Sequence, residues 1–338
     1  MGLVLPIHLY DKGEEKFVMT VNGKVNTDKI NMVLPHEHIV TDFTGAEILV
    51  QPQYRPNEAV LIVLPWLIQL KKRGVSLLAE CTPSYIGKDV RLLQQLSKQS
   101  GMHIMTNTGY YAAAAQKYLP RHAFTENAGE LAARFLKEWK HGIDGTGIRP
   151  GFIKLGVDGG PLKEIDKKII RAAAAAHLKS GLKIAIHTGD AGTAREEFEL
   201  LAGEGIAPTA FIWIHAQNDK SGDTQVDLAK KGCWISLDGI NAGAASIEAY
   251  GNQLIRLKKN DLLKRVLISH DDGWAVNKNQ HTRSISFDLF KNGNTVPYQA
   301  IFDYLKPYLL QKGFSENDFN TLMVKNPREA FAIKICRL

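Results

Sequence analysis

The 338 residues of the chain are 44% hydrophobic and 23% charged, which is enough apolar material for one large α/β domain or two smaller ones. The formal net charge of +7 is spread along the sequence, so no basic tract or recognition helix predicts a nucleic-acid partner. No window approaches the roughly 18 apolar residues of a membrane span, and three cysteines without CxxC spacing argue against a disulfide framework and a zinc ribbon. We expect a cytoplasmic protein with a small-molecule substrate and no membrane partner, or an exported one if a signal peptide was removed.

Apolar and β-branched runs alternate with helical patterns along the chain. The runs lie near residues 31–36, 75–80, 102–107, 151–156, 183–187, 211–215, 233–237 and 265–270. The helical patterns span residues 58–73, 88–100, 126–142, 164–180, 194–203, 224–231 and 250–259. Strands that alternate with helices build a parallel sheet, and this set suits a closed (β/α)8 TIM barrel, with a doubly wound open sheet as the alternative.

No stretch rich in proline, glycine and serine divides the sequence, so we expect a single domain over residues 1–338. Residues 1–17 are interpreted as an N-terminal extension, and residues 297–338 as a C-terminal helical tail. Residues 110–121 and 272–295 are longer than typical connections, which predicts substrate walls or lids. A cover for the barrel mouth or a subunit contact is the alternative for each.

Five strand-like segments carry polar groups at or near their ends, where parallel α/β folds place catalytic residues. These residues are His36, His38, Lys154, His187, His215 and Asp271. Side chains alternate along a strand, so His36 and His38 project to one side and Glu37 to the other, which lets both imidazoles bind one ion. His187 and His215 end two consecutive aliphatic runs and are candidate ligands for a second ion, or else buried histidines bonded to backbone carbonyls.

Lys154 distinguishes among metal sites. A lysine at the end of an apolar strand is costly to desolvate unless its pKa falls or the amine is modified. A neutral amine can add carbon dioxide, and the two oxygens of the carbamate could bridge two metal ions. An ion pair with Asp158 or another carboxylate is the alternative.

Asp271 follows the eighth run, where a carboxylate can bind a metal ion and accept a proton from a metal-bridging water. Two divalent ions would lower the pKa of that water and polarise a carbonyl or phosphoryl oxygen of the substrate. His270 and Asp272 flank this residue and are expected to point away from the barrel axis, so His270 is interpreted as structural. The pattern predicts a metal-dependent hydrolase, with zinc as the first expectation and manganese, cobalt or iron also compatible.

From about Val18 to Ile333 the sequence resembles the phosphotriesterase family of the amidohydrolase superfamily. The resemblance is carried by Thr20-Val21-Asn22-Gly23, Leu34-Pro35-His36-Glu37-His38, residues 151–154, His187-Thr188-Gly189, Leu267-Ile268-Ser269-His270-Asp271 and Asn326-Pro327-Arg328. It implies a homodimer and a TIM barrel with a binuclear metal centre at the C-terminal ends of the strands. It further implies that His36, His38 and Asp271 bind the buried metal. By the same resemblance His187 and His215 bind the more exposed metal, and carboxylated Lys154 bridges both.

The run Asn107-Thr108-Gly109-Tyr110-Tyr111 resembles the lactonase branch of this family, in which a tyrosine lines the pocket. Tyr111 is the better match, and packing at the rim is its alternative role. The lactonase branch has an arginine after the aspartate that ends the seventh strand, whereas Asp238 is followed here by Gly239. This departure disfavours acyl-homoserine lactones and predicts a more open pocket. The loop from Trp274 to Arg283 is a candidate site for a substrate anion, with both of these residues as candidate substrate contacts, and solvated surface charge is the alternative.

We therefore expect hydrolysis of a lactone or carboxylic ester, in which metal-bridging hydroxide attacks the carbonyl carbon and Asp271 shuttles the proton. A phosphoester or organophosphate (phosphotriester) hydrolase with the same residues is the alternative. A mononuclear deaminase-type enzyme is disfavoured by Lys154, because a single metal ion needs no bridging ligand. A barrel without catalytic activity is least expected, since every ligand position is filled.

Overall fold

Parallel strands run around a central axis in the computed structural model, which describes residues 16–49, 52–279 and 284–333. Within these ranges the barrel strands are Met32–Glu37, Val75–Glu80, His103–Met105 continued by Asn107–Thr108, Phe152–Val157, Ile184–Thr188, Phe211–Ile214, Trp234–Leu237 and Val266–Ile268. They neighbour one another in chain order, and each ladder between them is parallel. All eight predicted runs are therefore strands, and the predicted TIM barrel is confirmed.

The barrel closes between its last and first strands through individual hydrogen bonds. The Asp271 amide donates to the His36 carbonyl at 3.3 Å, and the His38 amide donates to the Asp272 carbonyl at 2.7 Å. The His36 amide donates to Ser269 Oγ at 3.0 Å. Closure abolishes the exposed edges of the sheet, so the alternative of an open sheet was wrong.

Helices alternate with the strands, as the apolar periodicity predicts. Among the described residues the α-helices are Pro56–Lys72, Val90–Ser100, Arg121–Thr125, Ala128–His141, Glu164–Ser180, Ala191–Gly203, Asp223–Lys231, Ala244–Lys259, Lys306–Gln311, Glu316–Asn320 and Asn326–Ala330. Short π-helical segments cover Ile301–Leu305 and Thr321–Lys325. The helix predicted from residue 250 begins at Ala244, because the alanines before the apolar pattern favour a helix without contributing to its periodicity.

Alternation along the strands separates two hydrophobic cores. One cluster of buried side chains fills the barrel interior and includes Leu77, Phe152, Ile212 and Leu267. The other lies between the strands and the surrounding helices and includes Leu78, Ile153, Trp213 and Ile268. Lys154 follows Phe152 by two residues and therefore lies on the interior face of its strand. The same period carries polar side chains into the space above the apolar interior.

Two additional strand pairs frame the barrel. Phe17–Thr20 and Gly23–Asn26 form an antiparallel hairpin, and the Val21 amide donates to the Ile104 carbonyl. The segment predicted as a loop over 272–295 contains a second hairpin, Trp274–Lys278 with Ile285–Leu289, whose first strand pairs with Val40–Thr41. None of the described helices is long and apolar enough to cross a membrane.

Candidate metal centre

His36, His38 and Asp271 meet at the C-terminal end of the barrel. His36 Nε2 lies 3.3 Å and His38 Nε2 lies 3.1 Å from the same Asp271 oxygen, Oδ1. Metal-type donor atoms of these three residues all lie within 4.8 Å of one another. The His-x-His spacing and the end of the eighth strand therefore deliver three donors to one point.

His187 and His215 approach this group from the ends of the fifth and sixth barrel strands. Their ring centroids are 4.4 Å apart, and the His215 centroid lies 5.1 Å from that of His36. His215 Nε2 is 3.9 Å from Asp271 Oδ2, the oxygen that does not face His36 and His38. The two oxygens of Asp271 consequently face two different groups of imidazoles.

Lys154 is buried beside these histidines, with 2% of its surface exposed. Its Nζ donates to the Leu155 carbonyl at 3.3 Å and lies 5.5 Å from the centroid of the Tyr111 ring. Asp158, the alternative partner, instead binds Lys163 at 3.4 Å and accepts from two backbone amides. Burial lowers the pKa of the Lys154 amine, which favours the neutral form that can react with carbon dioxide.

The protonation of the cluster suits a bound cation. Burial lowers the pKa of His38 and His187, and it lowers that of His215 to about 4, which favours the neutral imidazoles that can bind metal ions. Burial alone would raise the pKa of Asp271, but the adjacent histidines hold it well below its usual range. Neutral imidazoles around a carboxylate form a donor set that fits divalent metal ions.

Asp238 adds a carboxylate that the ligand pattern did not include. It is fully buried at the end of the seventh strand, with Oδ2 located 3.2 Å from His36 Nδ1 and 3.1 Å from the His215 amide. Ser236 Oγ donates to Asp238 Oδ1 at 2.7 Å. Burial lowers the pKa of His36, but Asp238 and Asp271 outweigh it and raise the pKa to about 9. A divalent ion would supply the positive charge that these carboxylates otherwise draw from a proton.

Two of the converging residues have a left-handed backbone, which L-residues rarely adopt. The φ angles are 61° for His215 and 58° for Asp271. Ile212 and Ile214 both face the barrel interior, so strict alternation would turn His215 away from the site. The left-handed turn after Ile214 brings the imidazole back to the other histidines. Such strain persists at functional sites because the surrounding structure enforces it.

The three proposed substrate contacts have different surroundings. The Tyr111 ring centroid lies 5.0 Å from that of His187, beside the cluster. The Trp274 ring is 5% exposed and packs edge-on against Tyr298 at 5.7 Å, which is the environment of a core residue. Arg283 lies outside the described residues. At Gly239 an added Cβ would meet Tyr250 Oη at 3.0 Å, so the Tyr250 side chain lies next to this glycine.

An aromatic arc, Phe43, Tyr111, Tyr118 and Phe290, borders the cluster. Phe290 lies 5.5 Å from His38 and 6.0 Å from Phe43. Phe43 contacts Tyr118 at 6.4 Å, and Tyr118 contacts Tyr111 at 5.9 Å, all measured between ring centroids. The arc thus runs from one histidine group to the other. Its members come from three separate loops, which explains why no single stretch of sequence predicted it.

Comparison with known proteins identifies relatives of the chain along most of its length. A model of the phosphotriesterase family matches residues 16–331. The phosphotriesterase homology protein of Escherichia coli (strain K12) is 26% identical over 306 residues, which cover 90% of this chain and 99% of that protein. The aryldialkylphosphatase of Saccharolobus solfataricus is 24% identical, covering 91% of this chain and 97% of that protein. The N-acetyltaurine hydrolase of Homo sapiens is 24% identical, covering 94% and 98%. The chain therefore belongs to the phosphotriesterase family and is a hydrolase.

Proposed function

We propose that the chain is a binuclear metal-dependent hydrolase of lactones or carboxylic esters. The observation that supports it best is that the two carboxylate oxygens of Asp271 face different histidines. Oδ1 faces His36 and His38, whereas Oδ2 faces His215. In this proposal His36, His38 and Asp271 would hold one ion, and His187 and His215 would hold the other. Lys154, carboxylated on its neutral amine, would supply a ligand shared by both. Zinc is the first candidate, with manganese, cobalt or iron as alternatives.

Asp271 is the proposed proton shuttle. When bound, the ions supply Lewis acidity and lower the pKa of the attacking water. Water adds to the carbonyl carbon, and Asp271 accepts the proton that this water loses. The bond from the carbonyl carbon to the leaving oxygen then breaks, and that oxygen takes the proton. The Asp271 side chain is 28% exposed, so its carboxylate can reach a substrate that enters from solvent.

Tyr111 and the aromatic arc suit a substrate that carries an acceptor oxygen and an apolar group. No described residue accepts from or donates to the Tyr111 hydroxyl within hydrogen-bond distance, which leaves it available to a substrate oxygen. Burial raises the pKa of Tyr111, so the phenol stays protonated and can donate. The rings of Phe43 and Phe290 offer contact area to an acyl chain or an aryl group. Trp274 and Arg283 have no part in this proposal.

A phosphoester or phosphotriester is the second candidate substrate, because one relative is an aryldialkylphosphatase. Another relative is an N-acetyltaurine hydrolase, whose name describes the cleavage of an acyl group and supports a carbonyl substrate. A deaminase with a single ion is disfavoured by the buried Lys154 beside the histidines. Membership of a hydrolase family also counts against a barrel without activity.

Substrate class is tested by proton release from metal-loaded protein on γ- and δ-lactones, an aryl ester and a phosphotriester at equal concentrations. The Asp271→Asn variant serves as the blank. We expect turnover of at least one lactone or ester that the variant lacks. Turnover of the phosphotriester alone would replace the proposal with the second candidate. No turnover of any of these compounds would refute both ester classes.

We propose that residues 1–338 form one domain, that the protein is cytoplasmic, and that it forms a homodimer, the last by resemblance to its family. Light scattering on the purified protein tests the oligomeric state. A monomer at micromolar concentration would refute the dimer.

A further inference from the structure

Glu37 lies between His36 and His38 in sequence, yet its carboxylate faces away from them and is fully buried. Its Oε1 accepts from Ser269 Oγ at 2.8 Å, from the His270 amide at 3.0 Å and from His270 Nδ1 at 2.7 Å. Buried carboxylates need such partners, since an unpaired buried charge is strongly unfavourable. The Glu37 carboxylate, at the end of the first strand, is thus hydrogen-bonded to the residues that follow the eighth strand.

The second oxygen of Glu37 extends the contact past Asp271. Oε2 accepts from the Asp272 amide at 2.9 Å. The amides immediately before and after Asp271 therefore donate to one carboxylate, while the Asp271 amide donates to the His36 carbonyl at 3.3 Å. Asp271 has its left-handed φ of 58° between these two anchored peptides. Charge-assisted bonds of this kind are stronger than bonds between neutral groups.

Glu37, His270 and Asp272 could by proximity hold a metal ion themselves, because their donor atoms lie within 4.8 Å of one another. Hydrogen bonds occupy these atoms instead. His270 Nε2 accepts from the Ile301 amide at 3.1 Å, and Asp272 Oδ2 accepts from the Tyr298 amide at 2.7 Å. His270 is thereby fixed as the tautomer with a proton on Nδ1, the atom that faces Glu37. The group is a hydrogen-bond network that joins both strand ends to the C-terminal segment.

We propose that Glu37 is a positioning residue that holds the Asp271 carboxylate next to the imidazoles of His36 and His38, the residues on either side of Glu37. One residue thereby links the three donors of the first proposed ion, because it is covalently joined to two of them and anchors the peptides around the third. The inference rests on the proposed function, in which His36, His38 and Asp271 bind metal. Outer partners of metal ligands tune affinity in this way.

The test compares Glu37→Gln with Glu197→Gln. Glu197 is a fully buried carboxylate too, but among the described residues its side chain bonds only the hydroxyl of Thr188, beside His187, and an amide can replace that contact. Cobalt and zinc affinities are measured by chelator competition, the Co²⁺ absorption spectrum reports ligand geometry, and hydrogen exchange is followed in a peptide that spans residues 269–272. We expect Glu37→Gln to weaken metal binding about 10- to 100-fold, alter the Co²⁺ spectrum and speed exchange in that peptide. Glu197→Gln should leave all three unchanged.

Faster exchange in Glu37→Gln without a change in affinity or spectrum would show a purely structural bond and overturn the inference. An equal loss in Glu197→Gln would overturn it as well. If Glu37→Gln does not fold, Ser269→Ala removes one of the donors to Glu37, and an unchanged affinity in that variant is the contradicting result. A wild-type protein that binds no divalent ion would refute the proposed function and this inference together, whereas the other outcomes refute this inference alone.

Discussion

Asp238→Asn removes a buried charge beside His36 with little change in shape. Asp238 Oδ2 lies 3.2 Å from His36 Nδ1 and 3.1 Å from the His215 amide, and both need an acceptor at that position. Ser236 Oγ is 2.7 Å from the other oxygen and can accept from the new amide group. The asparagine can therefore keep its oxygen toward His36, so the tautomer that leaves Nε2 free for a metal ion is retained.

The magnitude follows from what each variant removes. Loss of an outer hydrogen-bond partner lowers metal affinity about 10- to 100-fold, or about 1.4 to 2.7 kcal/mol. Because Asp238→Asn loses the charge and keeps the contact, we expect the tenfold end of this range. Asp238→Ala loses both and should approach the hundredfold end. Ser236→Ala combined with Asp238→Asn frees the amide to turn its donor toward His36, so the double variant should bind metal more weakly than Asp238→Asn.

The assay is metal affinity by chelator competition, with circular dichroism of the metal-free proteins as the control for folding. An Asp238→Ala variant that is folded and binds metal as tightly as the wild type would show that Asp238 does not support metal binding by His36. Equal affinities of Asp238→Asn with and without Ser236→Ala would refute the proposed orientation of the amide.

Lys154, Glu80 and Gly156 each lead to a separate prediction. Lys154→Ala should lose bound metal and hydrolysis, and a short carboxylic acid such as propionate should restore part of both; full activity without the acid would contradict the bridging role. Burial raises the pKa of Glu80 from 4.5 to about 7, so the protonated form favours the fold. As the pH rises from 4.5 through 7, the free energy of unfolding of the wild type should fall by about 3 kcal/mol relative to that of Glu80→Gln. Urea unfolding in the presence of a chelator measures both free energies, and a difference between the two proteins that does not change with pH would disprove the prediction. In Gly156→Ala the new Cβ would overlap carbon atoms of the Tyr111 ring. Displacing this ring should lower kcat/KM for lactones about a hundredfold at unchanged metal content; unchanged kcat/KM would remove Tyr111 from substrate binding.

The barrel could be predicted because its signals are periodic and local. Apolar runs such as 151–156 and 183–187 are typical of strands that are buried on both faces. Each of these two runs overlaps a strand of the structure, Phe152–Val157 and Ile184–Thr188. Period two also predicts that Lys154 shares the face of Phe152. The hairpin over Trp274–Lys278 and Ile285–Leu289 was missed because its strands are only partly buried, and their polar residues gave the pattern of a loop.

The site could be predicted less completely, because some of its geometry depends on long-range contacts. His215 itself has the left-handed backbone that turns its side chain toward the cluster. Glycine and asparagine are the usual sequence signals of that conformation, and neither stands at this position. Asp238 ends an apolar run as the predicted ligands do, and the same criterion could have selected it. Its contact with His36 joins the first and seventh strands, and no spacing within one segment predicts such a pair. The aromatic arc likewise depends on how separate loops meet.

The number of metal ions bound per chain shows whether the centre is binuclear. The wild-type protein and Lys154→Ala are loaded with zinc, freed of excess metal and measured by mass spectrometry for metal per chain, with a crystal structure of the loaded protein to locate the ions. The proposal predicts about two ions per wild-type chain, between His36 and His215, and fewer in the variant. One ion in the wild type, or two ions bound equally well without Lys154, would contradict a binuclear centre bridged by that lysine.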